Sequence, residues 1–539
     1  MRAGPCQTRA TEVHTNTTSR PAIEGLPPRA AFLLLGLTAA LLGLRLGAMP
    51  LIGPDEPRYA RVAVEMHRGH DLVVPTLQGK PWLEKPPLYY WLAGLGFSFL
   101  GEGEVAARLP SLVSTLGLVL ATAILGARLY GRAAGLHTGF ILATSLLLFA
   151  YGHAAAMDML VAACVTLSVS FLALGVLEVA GSWAIPAAWF AAGLGTLAKG
   201  PLGVLLPALV AGAFALASRD WKVFRRVLSP MGVLLFLLVA SPWYALVWRR
   251  EGGSFVEIFL FEHNVQRFLS TVHHHPGSIV YYVPIVLGGL FPWTGLVVPA
   301  LSGVRIRNGL DRFVVLWFLV PFLFFSAAGS KLPGYILPCL PPLALLMGRA
   351  ADGLCLGRRQ PLAVRIGALL GVAFGALVAC VPLFLFRLAE PAWATTIPLG
   401  LWGLLVALLF SRAVGSRPLQ AVTVLRVGGA GLLGLLALSA PEILARNESG
   451  RLLFAPARGR EVLAFGAWRT ALMAGYFYND GHVHEVTGLE EVREGSEKGP
   501  VLVLAGPAEE RLLERTPSLR TLGLAEGPRG NILLRVERR

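Results

Sequence analysis

Residues 31–60 read AFLLLGLTAALLGLRLGAMPLIGPDEPRYA. Residues 31–50 carry one charge, Arg45, and form an apolar block of the roughly 20 residues that cross a bilayer. The block runs straight into Asp55 and Glu56. A carboxylate pair just past a span is costly near lipid unless it has work to do. The same alternation of apolar block and polar loop continues along the chain. Blocks fall at 31–50, 107–127, 134–151, 159–180, 183–198, 201–217, 231–248, 279–301, 312–328, 333–349, 363–386, 396–411 and 421–440. A shorter apolar stretch covers 86–101. Of 539 residues 55% are hydrophobic and 15% charged, against about 25% charged in a soluble globular chain. The expected fold is an all-α multi-spanning membrane bundle of about 13 transmembrane helices.

The net charge of +15 sits largely in short loops. The segments 128–132, 218–229, 302–312, 349–365 and 412–426 hold clustered Arg and Lys, among them Arg219, Lys222, Arg225 and Arg226. Cytoplasmic loops carry this excess, so the basic balance speaks for membrane orientation and against a nucleic-acid partner. The opposite connections are 51–106, 152–158, the turn near 199, 249–278, 329–332 and 387–395. The pattern closes if 86–101 is an interfacial or re-entrant helix, with the N-terminus inside and the C-terminus outside. Three parts are expected: a cytoplasmic tail over 1–29, a membrane domain over 30–441 with long outer loops 51–106 and 249–278, and a small soluble α/β domain over 442–539. In the last part apolar runs shrink to strand length, as in Val462–Phe465, Val501–Leu504 and Ile532–Leu534, with helical Glu/Arg-rich stretches between. The five cysteines (Cys6, Cys164, Cys339, Cys355, Cys380) are scattered and read as packing residues.

The polar residues gather on one membrane face. The first outer loop holds Asp55, Glu56, Arg58 and Tyr59, then Trp82-Leu83-Glu84-Lys85. Asp158, Lys199, His263, Arg267, Lys331 and Tyr335 fall on the same side. Each has a bland reading: Asp55 as a helix cap, Lys199 and Lys331 as snorkelling cations, Asp158 as a capped turn. Together they bring carboxylates and cations to one surface. Cations bind phosphate by charge-assisted hydrogen bonds, and carboxylates do acid, base or positioning work. A glycosyl phosphate donor needs both. Glu84 and His263 offer two ligands to a divalent metal such as zinc, though two ligands do not make a site. The run His273-His274-His275 reads as loop.

Six segments resemble the aminoarabinose transferase (ArnT) family, in its order and rough spacing. They are Asp55-Glu56-Pro57-Arg58-Tyr59-Ala60, Glu84-Lys85-Pro86-Pro87-Leu88-Tyr89-Tyr90-Trp91, Ala106-Ala107-Arg108-Leu109-Pro110-Ser111, Lys199-Gly200-Pro201, Glu262-His263-Asn264-Val265-Gln266-Arg267-Phe268 and Ser330-Lys331-Leu332-Pro333-Gly334-Tyr335-Ile336-Leu337-Pro338. That family belongs, with the protein O-mannosyltransferases, to the polyprenyl-phosphate-dependent membrane glycosyltransferases of GT-C type. The resemblance implies a bacterial inner-membrane enzyme with a periplasm-facing site. It implies Asp55 as principal catalytic carboxylate and Asp158 as a second acidic residue. It implies Lys85 and Arg267 as donor-phosphate ligands, with Lys199, Tyr335, Arg58 and Tyr59 in the same set, and Glu84 and His263 as a pair able to hold zinc. The implied donor is an undecaprenyl-phosphate sugar, and the implied acceptor is lipid A phosphate or another envelope acceptor. The chain departs at Gly334, where the family pattern leads one to expect Thr; a looser lid beside Tyr335 follows. Two rivals remain: the same donor chemistry with a protein hydroxyl or glycan acceptor, and a lipid-sugar flippase. A flippase calls for polar residues through the bilayer midplane, whereas here they crowd one surface.

Overall fold

The computed structural model describes residues 25–266, 278–358, 361–385 and 392–539. Most of the expected tail 1–29, together with Arg267, His273, His274 and His275, lies outside the described residues. Helix α1 (Pro28–Gly43) opens with proline in its first turn, where the missing N–H has no intrahelical partner to lose. Its Phe32 and Leu33 are exposed, as lipid-facing side chains are in a protein whose solvent is the bilayer. Helix α2 (Asp55–Gly69) begins with two acids and ends with His67 and Arg68, each end matching the helix dipole. His70 closes it in the left-handed conformation. A hairpin of β1 (Thr76–Leu77) and β2 (Lys80–Pro81) follows, turning through Gln78 and Gly79, both at positive φ. Helix α3 (Leu88–Leu100) has 13 residues, about 20 Å of rise, too short to cross a core of about 30 Å.

The bundle proper then builds up. Helix α4 (Glu104–Tyr130) leads to a broken pair, α5 (Arg132–Ala143) and α6 (Leu146–Gly152), bent by 59°. Helices α7 (Met157–Val176), α8 (Ala184–Lys199), α9 (Leu202–Ser218), α10 (Trp221–Val227) and α11 (Pro230–Glu251) follow. Small residues let these helices approach closely: a Cβ on Gly135 of α5 would lie 2.7 Å from the Ala127 Cα of α4. Beyond α11 the segment Val256–Gln266 is π-helical. Among the described residues eight helices are long and apolar enough to cross a membrane, or ten if each of two bent pairs counts as one span. A multi-spanning bundle stands on that count. The expected thirteen asks in addition that α1, α8 and α9 cross, and these hold 16, 16 and 17 residues.

The last membrane helix, Pro418–Asn447, runs past residue 441. The C-terminal domain after it is a five-stranded mixed sheet in the order β4-β3-β5-β7-β6, from β3 (Val462–Phe465), β4 (Val483–Val486), β5 (Val501–Ala505), β6 (Leu519–Glu526) and β7 (Ile532–Arg538). Strands β4, β3 and β5 are parallel, while β7 and β6 run antiparallel. The sheet domain sits on the first loop. Leu51 N–H donates to the Tyr478 hydroxyl at 2.7 Å, and Gly53 N–H to the Glu448 carbonyl at 3.2 Å.

Arg108, near the start of α4 and fully buried, joins the first span to the loop after it. Its guanidinium donates to the carbonyls of Leu46, Met49 and Pro50, the last at 2.7 Å, and to Glu56 Oε2 at 2.9 Å. A five-donor fork suits this gathering of oxygens. Removing one partner of a buried pair leaves the other charge uncompensated. Arg108→Ala is expected to destabilise the protein by about 3–5 kcal/mol, read as a lowered thermal transition of the detergent-purified chain. Glu56→Gln, which keeps an acceptor, is expected to cost less.

Candidate active site

Residues 55, 58 and 59 fall on one face of α2, because three- and four-residue steps stack in a helix. Arg58 Nη2 reaches back 2.6 Å to Asp55 Oδ1. Arg58 itself is buried, whereas the Asp55 side chain keeps 53% of its exposure. The Arg58 guanidinium lies 5.1 Å from the ring centroids of both Tyr59 and Trp82, a cation–π sandwich joining helix to hairpin. Burial works against its charge, and Tyr59, Asp55 and Glu84 more than restore it, so its pKa is raised. Arg58 Nε and Nη1 are buried without a hydrogen-bond partner. Buried donors are rarely left unpaired, so these two are available to an anion. Burial, then the Asp55 charge, push the Tyr59 phenol well up, which keeps it neutral.

The segment after β2 supplies the next groups. Lys85 is buried, and its Nζ donates to the Glu84 carbonyl at 3.0 Å. Glu84 Oε1 lies 3.6 Å from His263 Nε2, with both side chains mostly buried. His263 comes from the π-helical segment, so two distant loops meet here. The spacing lets both atoms reach one ion, but no group of three or more metal-ligating side chains forms among the described residues. Two ligands fall short of a four-coordinate zinc site.

A second cluster lies at the ends of α7 and α8. Asp158 Oδ1 accepts from Lys199 Nζ at 2.6 Å, and Lys199 Nζ stands 4.9 Å from the Tyr335 ring centroid. Asp158, Lys199, Gly334, Tyr335 and Phe325 line a small cavity of about 20 Å³. The space beside Gly334 is filled. An added Cβ on Gly334 would lie 2.6 Å from Tyr151 Cε1 of α6 and 2.8 Å from Asp158 Oδ1. Glycine here admits a tyrosine rather than slackening the lid.

Of the sequence candidates, Asp55, Arg58 and Tyr59 share one helix face, Glu84 meets His263, and Asp158, Lys199 and Tyr335 form their own cluster. Arg267 lies outside the described residues. Lys331 is buried and donates to its neighbour's carbonyl at Ala328, a local tie rather than a shared site. Neither Tyr151 nor Trp82 was assigned to the site from sequence. Trp82 stands two residues before Glu84, a position that could have drawn attention to it; Tyr151 closes an apolar block and gave no signal.

The chain resembles known proteins along most of its length. Residues 84–248 match the family described as dolichyl-phosphate-mannose-protein mannosyltransferase. An undecaprenyl phosphate-alpha-4-amino-4-deoxy-L-arabinose arabinosyl transferase of Pseudomonas aeruginosa (strain UCBPP-PA14) is 33% identical over 75% of this chain and 74% of its own. A protein of the same name from Edwardsiella ictaluri (strain 93-146) is 34% identical, and the match spans 58% of that relative's length. Among solved structures, the apo crystal structure of ArnT from Cupriavidus metallidurans matches with a TM-score of 0.77 at 25% identity, over 94% of this chain and 97% of that one. The same protein bound to undecaprenyl phosphate matches in fold with a TM-score of 0.76 at 23% identity, over 94% and 97%.

Gly334→Ala is expected to displace Tyr151 and Asp158 and to cost about 1–3 kcal/mol by overpacking. The thermal transition of the purified variant checks this. Ala at the half-buried Gly212, where an added Cβ has nothing within 4 Å, serves as the control and is expected to leave the transition unmoved or raised.

Proposed function

We propose that this chain, which belongs to the undecaprenyl phosphate-aminoarabinose arabinosyl transferase (ArnT) family, is an inner-membrane glycosyltransferase drawing its sugar from undecaprenyl phosphate. The specific reaction is transfer of 4-amino-4-deoxy-L-arabinose to a lipid A phosphate on the periplasmic side. In this reading the membrane domain crosses thirteen times, with the N-terminus cytoplasmic and the C-terminal domain periplasmic. The observation that carries the donor assignment is the buried Arg58 guanidinium, with two unpaired donors beside a half-exposed carboxylate.

The step is a displacement at the sugar's anomeric carbon. The acceptor oxygen forms a bond to that carbon from one face. The bond from carbon to the donor phosphate oxygen breaks on the other, and undecaprenyl phosphate leaves with the electron pair. Negative charge grows on the leaving phosphate, so the cations Arg58, Lys85 and Arg267 stabilise the transition state more than the ground state. Lys199 and Tyr335 hold the neighbouring pocket. A lipid A phosphate is already ionised, so Asp55 orients the sugar and acceptor and takes no proton. Asp158, paired to Lys199 at 2.6 Å, fixes that lysine's ammonium in place. Zinc on Glu84 and His263, if recruited, would supply Lewis acidity; chelation is expected to leave turnover unchanged. The match of residues 84–248 to protein mannosyltransferases favours one alternative, the same donor with a protein hydroxyl or glycan acceptor. Asp55 would then be a general base.

Lipid A mass spectra distinguish these readings. The host is a Gram-negative strain that makes the aminoarabinose donor and lacks its own transferase. An aminoarabinose-sized gain is expected with the parent chain and not with Asp55→Asn. No gain from inserted parent protein would overturn the lipid A assignment and move the acceptor to protein or glycan.

A further inference from the structure

The C-terminal domain touches the candidate site through one chain of charged hydrogen bonds. Asp480 sits in the turn between the helix Arg469–Tyr478 and β4, at φ 53°, followed by Gly481 at φ 84°. This double left-handed turn favours Asp and Gly and aims the Asp480 carboxylate at α2. Asp480 Oδ1 accepts from Arg61 at 2.9 Å and from Arg68 at 2.8 Å. A side chain on Gly481 would meet the Arg61 guanidinium at 2.6 Å, so the turn is seated directly on that arginine.

Arg61 passes the contact on. Its Nε donates to Glu65 Oε1 at 2.8 Å. Glu65 in turn accepts from three groups of the hairpin: Thr76 Oγ1 at 2.9 Å, Gln78 N–H at 2.9 Å and Gly79 N–H at 3.1 Å. Burial works against the Glu65 charge, yet the bonds from Arg61, Gly79, Thr76 and Gln78 together hold its pKa below the usual carboxylate range. The hairpin ends in Trp82, whose N–H donates to the Pro75 carbonyl at 2.7 Å and whose ring lies on Arg58. Glu84 and Lys85 follow directly. Exposed salt bridges hold geometry weakly, but the Arg61 and Glu65 side chains keep only 11% and 12% of their exposure. The hairpin itself has two-residue strands, too short to be stable alone.

We propose that Asp480 of the C-terminal domain is a positioning residue. Through Arg61 and Glu65 it fixes the hairpin that presents Trp82 and Lys85, so the soluble domain sets affinity for the phosphate of the lipid donor. This rests on the donor reading above. A coupling of this kind is carried by a contiguous polar network and has magnitudes measurable by mutation.

The test uses the full chain in detergent and undecaprenyl phosphate as the probe. Asp480→Asn keeps a residue suited to the left-handed turn and removes the charge. It is expected to raise the Kd for undecaprenyl phosphate about tenfold, to raise KM for the donor in step, and to lower kcat by no more than that factor. Glu65→Gln is expected to do the same, and the double variant to do no more than either alone, because both cut one relay. Amide exchange at Gln78 and Gly79 is expected to quicken in Asp480→Asn, a readout that needs no donor. Unchanged exchange at the hairpin, an unchanged Kd, or a loss confined to kcat overturns the positioning role. If the parent chain fails to bind undecaprenyl phosphate while hairpin exchange responds as expected, the donor reading falls and the relay stands.

Discussion

The buried contact between Arg108 and Glu56 governs how the site is built. Glu56 and Asp55 are neighbours in sequence, and on a helix successive side chains point about 100° apart. Once Glu56 turns inward to Arg108 at 2.9 Å, Asp55 must face outward beside Arg58. The same arginine binds carbonyls at Leu46 and Pro50, where the chain leaves its first span and its backbone has no helical partner. Such groups must be satisfied within the protein near lipid. One residue therefore ties the end of the first span to the start of α2 and turns the Asp55 carboxylate outward.

The membrane architecture was legible because it rests on composition and block length, which need no tertiary information. The stretch 86–101 forms α3, whose 13 residues are fewer than the roughly 20 of a typical span. The Asp55–Glu56 pair was visible, but its division of labour was not. Sequence offered helix start or functional carboxylate, and the structure gives helix start to both and burial to one. Arg108 carried a readable oddity, a charge at the edge of an apolar block. Its partners are backbone carbonyls, which leave no mark in sequence. The Gly334–Tyr151 contact joins segments nearly two hundred residues apart, and only packing reveals it. In the C-terminal domain the apolar runs of β3, β5 and β7 stood out, while β4 and β6, at the two edges of the sheet, carry more polar residues and did not.

Several carboxylates around the site are paired with a cation. Asp158 is matched by Lys199, Glu56 by Arg108, Glu65 by Arg61. Arg58 differs: its ion pair with Asp55 takes a single nitrogen and leaves two buried donors without a hydrogen-bond partner. Those donors sit between the Tyr59 and Trp82 rings, a fixed arrangement of the kind that favours electrostatic stabilisation. The rest of the first loop holds that arginine still.

The central claim is that Asp55 acts on the reaction and Arg58 with Lys85 on the donor phosphate. The most direct measurement is the single-turnover rate at saturating undecaprenyl-phosphoryl sugar, taken with donor Kd, for the parent and Asp55→Asn. A rate loss of about 10²-fold is expected from lost orientation of the reacting groups, with Kd unchanged. A variant that turns over bound donor at the parent rate, and loses only affinity, would contradict it.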